Sequence, residues 1–76
     1  MQLNGVKAQI LLEHHLFGRQ CFDCDKLQTV NNDEKIGVVL KGQEKYINKH
    51  DVKVAEVTND TYVLSDGRMT ITIICK

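Results

Sequence analysis

The sequence predicts an all-β fold, a small and strongly bent antiparallel barrel of about five or six short strands with room for one short helical turn. Three observations carry this expectation. Apolar and polar residues alternate along several stretches, the period of a strand with one buried face. Turn-forming pairs such as Asn59–Asp60 and Asp66–Gly67 recur at close intervals. Proline is absent from all 76 residues, so nothing interrupts a backbone ladder.

The elements can be justified in order. From the amino terminus, Val6, Ala8, Ile10, Leu12 and Leu16 share one parity, with Lys7, Gln9, Glu13 and His15 on the other. His14 takes the apolar parity, and Leu11 and Phe17 break the pattern. Period two favours a strand, although Ala, Gln, Leu and Glu give a helix from Val6 to Phe17 some local support. On a strand, His14 and His15 point to opposite faces. The stretch from Gly18 to Val30 is ambiguous. Cys21, Cys24 and Gln28 have helical spacing, whereas Gly18 and two aspartates dilute it. Next, Asn31–Asn32–Asp33 marks a turn, Ile36, Val38 and Leu40 alternate, and Lys41–Gly42 marks another turn.

The carboxyl-terminal third is the clearest. A two-residue turn at Asp66–Gly67 sets Ser65 opposite Arg68, Leu64 opposite Met69, Val63 opposite Thr70 and Tyr62 opposite Ile71. Leu64, Met69, Tyr62, Ile71 and Ile73 then share the core face, and the threonines and Ser65 share the other. A turn at Asn59–Asp60 brings Val57 opposite Tyr62. Val52 and Val54 then have the wrong parity, which a bulge near Ala55–Glu56 would reconcile. Closing these strands into a barrel of the Sm or SH3-like kind would remove sheet edges that are otherwise open to pairing.

Hydrophobic residues make up 42% of the chain and charged residues 26%, the composition of a globular domain. Residues 1–76 read as a single domain close to the lower size limit for a self-sufficient core, where oligomerisation is a common supplement. Ten basic and ten acidic side chains cancel, which argues against a general coat for nucleic acid and leaves room for a small basic patch. The start has no basic leader, and its apolar run covers only Ile10 to Leu12, so neither a signal peptide nor a membrane span is expected. Three cysteines in that setting predict reduced thiols and a cytoplasmic protein.

Cys21-Phe22-Asp23-Cys24 is a CxxC. With His14 or His15 upstream, and His50 or Cys75 downstream, it supplies ligand types that zinc prefers. A second pair at zinc spacing is missing, so no metal is expected, and the thiols read as small packed hydrophobes. A redox CxxC would need a βαβ setting. Nucleophile-elbow, phosphate-loop and dinucleotide signatures are absent, and the aspartates sit at turn-like positions. A non-catalytic protein without a cofactor is the expectation.

Two short segments, NGVKAQI near the start and VVLKGQEKYINKHDVKVAEV in the middle, resemble the Sm-like RNA chaperones of bacteria. Asn4, Gly5, Val6 and Lys7 match that family's first motif. Tyr46, Lys49, His50 and Val52 match its second, with Ile47 and Asn48 intervening between tyrosine and lysine. The resemblance covers about a third of the chain. The segment from Leu16 to Glu34 is longer than the family's connection, and the hairpin from Thr61 to Ile73 follows where its barrel would end. What the resemblance implies is a homo-oligomeric ring that binds single-stranded RNA, with Tyr46 stacking on a base and Lys49 and His50 lining a central pore. The rival expectation is a module for a protein partner, recognised through exposed apolar positions such as Val63, in which Lys49 and His50 form only a polar turn.

Overall fold

The computed structural model describes residues 3–76. They form eight strands: β1 (Ala8–His14), β2 (Gly18–Cys24), β3 (Gln28–Asn31), β4 (Lys35–Leu40), β5 (Gln43–Asn48), β6 (Val54–Thr58), β7 (Thr61–Ser65) and β8 (Met69–Cys75). A single 3-10 turn, Lys49–Asp51, follows β5. The all-β expectation holds. The strands, however, form two antiparallel sheets, ordered β2-β1-β8-β7-β6 and β3-β4-β5, and these ladders close no barrel among the described residues. The ambiguous stretch from Gly18 to Val30 explains the difference. It supplies β2 and β3 rather than a helical turn, and eight strands are enough for two layers.

The core is the space between the layers. Ala8, Ile10, Leu12, Leu64, Ile71 and Ile73 come from the larger sheet, and Val38, Leu40 and Ile47 come from the smaller. Leu27, in the link between β2 and β3, is buried with them. It is held by its amide donating to the Val6 carbonyl at 2.8 Å, while the Gly5 amide donates to the Leu27 carbonyl at 2.7 Å. Asn4 adds a side-chain anchor, since its Oδ1 accepts from the Thr29 amide at 2.7 Å and from the Thr29 hydroxyl at 2.8 Å. The turn at Asn4–Gly5 thus ties the amino terminus to the edge of the smaller sheet.

Most turns lie where the sequence places them. Lys41 and Gly42 both have positive φ, 51° and 80°, and join β4 to β5 as a mirror-image two-residue turn. Asn59–Asp60 pairs Val57 with Tyr62 as expected. The last hairpin needs a correction. Ser65 pairs with Thr70, Leu64 with Ile71, Val63 with Thr72 and Tyr62 with Ile73, two residues from the expected register. The tip is Gly67–Arg68, because the Asp66 carboxylate accepts from the Arg68 and Met69 amides, each at 2.8 Å, and the Asp66 amide donates to the Met69 carbonyl at 3.2 Å. A shift of two keeps every side chain on its face, so the expected core set survives.

Three further expectations fail. No bulge interrupts β6, which pairs continuously from Val54↔Ser65 to Thr58↔Thr61. All five of its residues are exposed, so burial imposes no parity on them. Leu16 is not a core residue: β1 ends at His14, and His15, Leu16 and Phe17 form the loop to β2, leaving Leu16 72% exposed. Val63 is only partly exposed, because β7 lies inside its sheet.

Candidate nucleic-acid interface

Tyr46 lies on the outer face of the smaller sheet. Its cross-strand partner is Gly37, and the residue is 42% exposed. Alternation along β5 sends Lys45 and Ile47 inward and leaves Glu44, Tyr46 and Asn48 outward. Lys35 reaches across from β4, with its Nζ 2.7 Å from a Glu44 oxygen and 4.5 Å from the Tyr46 ring centroid. The Glu44 hydrogen bond holds the Lys35 ammonium above its ordinary range. One face of the tyrosine therefore already carries a cation, a geometry that also suits an added π system.

Lys49 and His50 lie beyond the strand, on the 3-10 turn, and both are exposed. The turn is fixed by its backbone: the Lys49 amide donates to the Glu34 carbonyl at 2.8 Å, and the Lys53 amide donates to the Ser65 carbonyl at 2.8 Å. The second bond brings the β7–β8 tip beside the turn. His50, Lys53, Arg68 and Gly67 thereby line one open cleft of about 430 Å³, together with Asp51 and Asp66. Lys53 lies directly over Gly67, where a Cβ would come within 3.2 Å of its Nζ. The Met69 amide holds the Asp66 carboxyl below the usual carboxylate range. Partial burial opposes this, and the Arg68 amide and guanidinium add to the lowering. Tyr46 is not among the residues that line this cleft. The sequence-predicted trio is thus split, with Tyr46 on a sheet face and Lys49 and His50 on the turn beyond its strand.

Lys53 and Arg68 escape notice in the sequence because each is an isolated basic residue in a polar turn. Only the Lys53–Ser65 backbone pairing brings them to His50.

The CxxC is dispersed by its own strand. Cys21 and Cys24 are three residues apart on β2 and so face opposite sides. Cys21 is exposed and accepts a hydrogen bond from Gln9 Nε2 at 3.1 Å. Cys24 packs against the core beside Ala8, whose other neighbour is Cys75. Burial pushes the Cys24 thiol up, and the Asp23 and Asp25 charges push it further, which disfavours the thiolate that a metal or a redox reaction needs. His14 ends the same strand that Ala8 begins, about 20 Å away at strand rise. Among the described residues, no group of three or more His, Cys, Asp or Glu could hold a metal ion. Contrary to the sequence expectation, His14 and His15 do not diverge. Because the strand ends between them, their rings stack with centroids 4.9 Å apart.

Among the described residues, no helix is long and apolar enough to cross a membrane. No family model, curated protein or solved structure matches the chain.

Proposed function

We propose that this protein is a small non-catalytic binding module for single-stranded RNA, working in the cytoplasm. The supporting observation is the Lys49–Asp51 turn, which leaves Lys49 and His50 exposed and sets His50 in one cleft with Lys53 and Arg68. Of these four, only Arg68 belongs to an ion pair among the described residues, a loose one to Asp66 at 3.9 Å. Lys49 and Lys53, which belong to no ion pair among the described residues, give a neutral chain positive charge near this turn, and contact with phosphodiester charge governs affinity for nucleic acid. Tyr46, exposed on the adjoining sheet, supplies a surface on which a base can stack. The likeness to Sm-like chaperones extends the proposal to a homo-oligomeric assembly built on a barrel-like protomer. Strands β2, β5 and β6 each form a sheet edge on which such an assembly could grow, whereas the β3 edge is tied to Asn4.

The test is a titration with short uridine- and adenosine-rich RNAs at two salt concentrations. Wild type should bind at low salt. Lys49→Ala should bind more weakly and with a shallower salt dependence, because fewer counterions are released. An absence of binding by wild type at low salt would end this reading.

One observation supports a second reading, a module for a protein partner. Strand β6 is an exposed edge carrying Val57 at 64% exposure, a geometry suited to strand addition by a partner. Under that reading, Lys49→Ala changes nothing, and partner binding responds instead to a charge placed at Val57.

A further inference from the structure

We propose that the groove where the two sheets part, beneath the β1–β2 hairpin, receives a single nucleotide, with its base on Phe17 and its phosphate at Lys45. The groove is lined by Leu12, His14, Phe17, Gln20, Lys45 and Met69 and encloses about 340 Å³, at the small end of the range for ligand sites. None of these residues belongs to the Tyr46, Lys49 and His50 set, and the sequence did not single out Lys45 or Gln20 at all.

Three features select the ligand. The first is a column of rings. Phe17 stacks on His14 with centroids 4.7 Å apart at 29°, and His14 stacks on His15 at 4.9 Å and 20°. Phe17 is 81% exposed, so its remaining face is open to another flat ring. A base of any identity can cover that exposed face. The second feature is charge. Lys45 is the sole lysine, arginine or carboxylate in the lining, and it belongs to none of the four ion pairs among the described residues. It points inward from β5, opposite Val38, into an otherwise largely apolar space. An anion is the complement to an unpaired ammonium held there. The third feature is a fixed donor. The Leu16 amide donates to His14 Nδ1 at 3.0 Å, which leaves Nε2 to carry the proton of the neutral ring. Gln20 adds an amide able to donate and accept. A flat heteroaromatic ring joined to a negative group satisfies all three, and a nucleotide is that combination.

The choice of a nucleotide rests on the RNA reading above, but the groove would accept the same chemistry either as one unit of a strand or as a free mononucleotide. The experiment separates these sources. Uridine and adenosine 5′-monophosphates, their nucleosides and matching hexanucleotides are titrated into wild type, Phe17→Ala, Lys45→Met and Lys49→Ala, followed by amide NMR shifts. The monophosphates should shift Gly18 and Lys45 and leave Lys49 and His50 still. Phe17→Ala should weaken them by roughly 5- to 150-fold, the span covered by base stacking. Lys45→Met, which keeps the stem, should bind a nucleotide no better than wild type binds its nucleoside. Monophosphate affinity that is unchanged in Phe17→Ala, or shifts confined to Lys49 and His50, would overturn this assignment. Hexanucleotides that respond to Lys49→Ala and not to Phe17→Ala would overturn it while upholding the RNA reading. Monophosphates bound in the groove without hexanucleotide affinity would do the reverse.

Discussion

Strands β8 and β6 belong to one sheet and look alike in sequence. MTITIIC and VAEVT are both rich in β-branched residues suited to a pleated surface, and each sets an apolar residue on the core face of the sheet. In β8, Ile71 and Ile73 are completely buried, whereas every residue of β6 is exposed. A single row across the sheet shows why. Val57, Tyr62, Ile73, Ile10 and Phe22 are successive cross-strand neighbours on the core face. A layer of three strands can cover only the middle of a layer of five. Alternation therefore tells which face of a strand is apolar, and position in the sheet decides whether that face is buried.

The sharpest way to break this comparison is to cut the same row at its centre and at its end. Ile73→Ala should cost about 4 kcal/mol, as a fully buried large-to-small change. A chain of this length has roughly 4–11 kcal/mol to lose, so urea melts should show a severely destabilised protein. Val57→Ala in the same row should cost about 0.5 kcal/mol or less. Equal losses would mean that the smaller sheet covers β6 as well.

Gly37→Ala carries the comparison to the smaller sheet and should rank next, at about 3 kcal/mol. Its Cβ would lie 2.1 Å from the Lys45 carbonyl oxygen and 2.5 Å from the Tyr46 Cα. These are backbone atoms of the paired strand, so relief requires β4 and β5 to separate. A thermal midpoint close to wild type would contradict this close approach.

Asp66→Asn should have a smaller effect, about 1 kcal/mol at neutral pH, by weakening the hydrogen bonds that hold the β7–β8 tip. The folded carboxyl titrates below its unfolded value of about 3.9, so its contribution is complete above that value and is lost as pH falls through the lower folded one. Denaturant melts between neutrality and acid should therefore show a difference between wild type and variant that narrows below about pH 4. A constant difference across that range would mean that charge plays no part. The smallest effect is expected for Val57→Thr, within about 0.5 kcal/mol, since an exposed edge position demands only a β-branched shape.

Much of the fold was legible because its signals are local. Alternation marked β1, β4, β7 and β8, and glycine or asparagine marked the turns. What failed had long-range causes. The tip of the last hairpin moved because one carboxylate bonds two amides, a contact that no pattern of hydrophobicity encodes. The Gly18–Val30 stretch looked helical in part because β2 is a partly covered edge strand, so its apolar positions carry little alternation. Tyr46, Lys49 and His50 are exposed, but the structure brings Lys53 and Arg68 to His50 through a backbone pairing between segments distant in sequence. Phe17 left a readable trace, since it breaks the alternation of the first strand and is followed directly by Gly18, a residue suited to a hairpin loop. Parity alone assigned Leu16 to the core and missed it.

The central position of β8 also bears on how the chain is made. Ala8 pairs with Cys75, and the Lys76 amide donates to the Lys7 carbonyl at 2.9 Å, so the first strand of the larger sheet waits for the last. Until β8 leaves the ribosome, β1 and β2 form a lone hairpin and β6 and β7 another, each with its apolar face uncovered, and isolated hairpins are marginal in water. The β3-β4-β5 layer is contiguous in sequence and can pair early, yet it too has nothing to pack against. Cooperative folding of the larger sheet therefore waits for β8 and is governed by closure of the span from Ala8 to Cys75, and a nascent chain stalled short of Met69 should be protease-sensitive throughout.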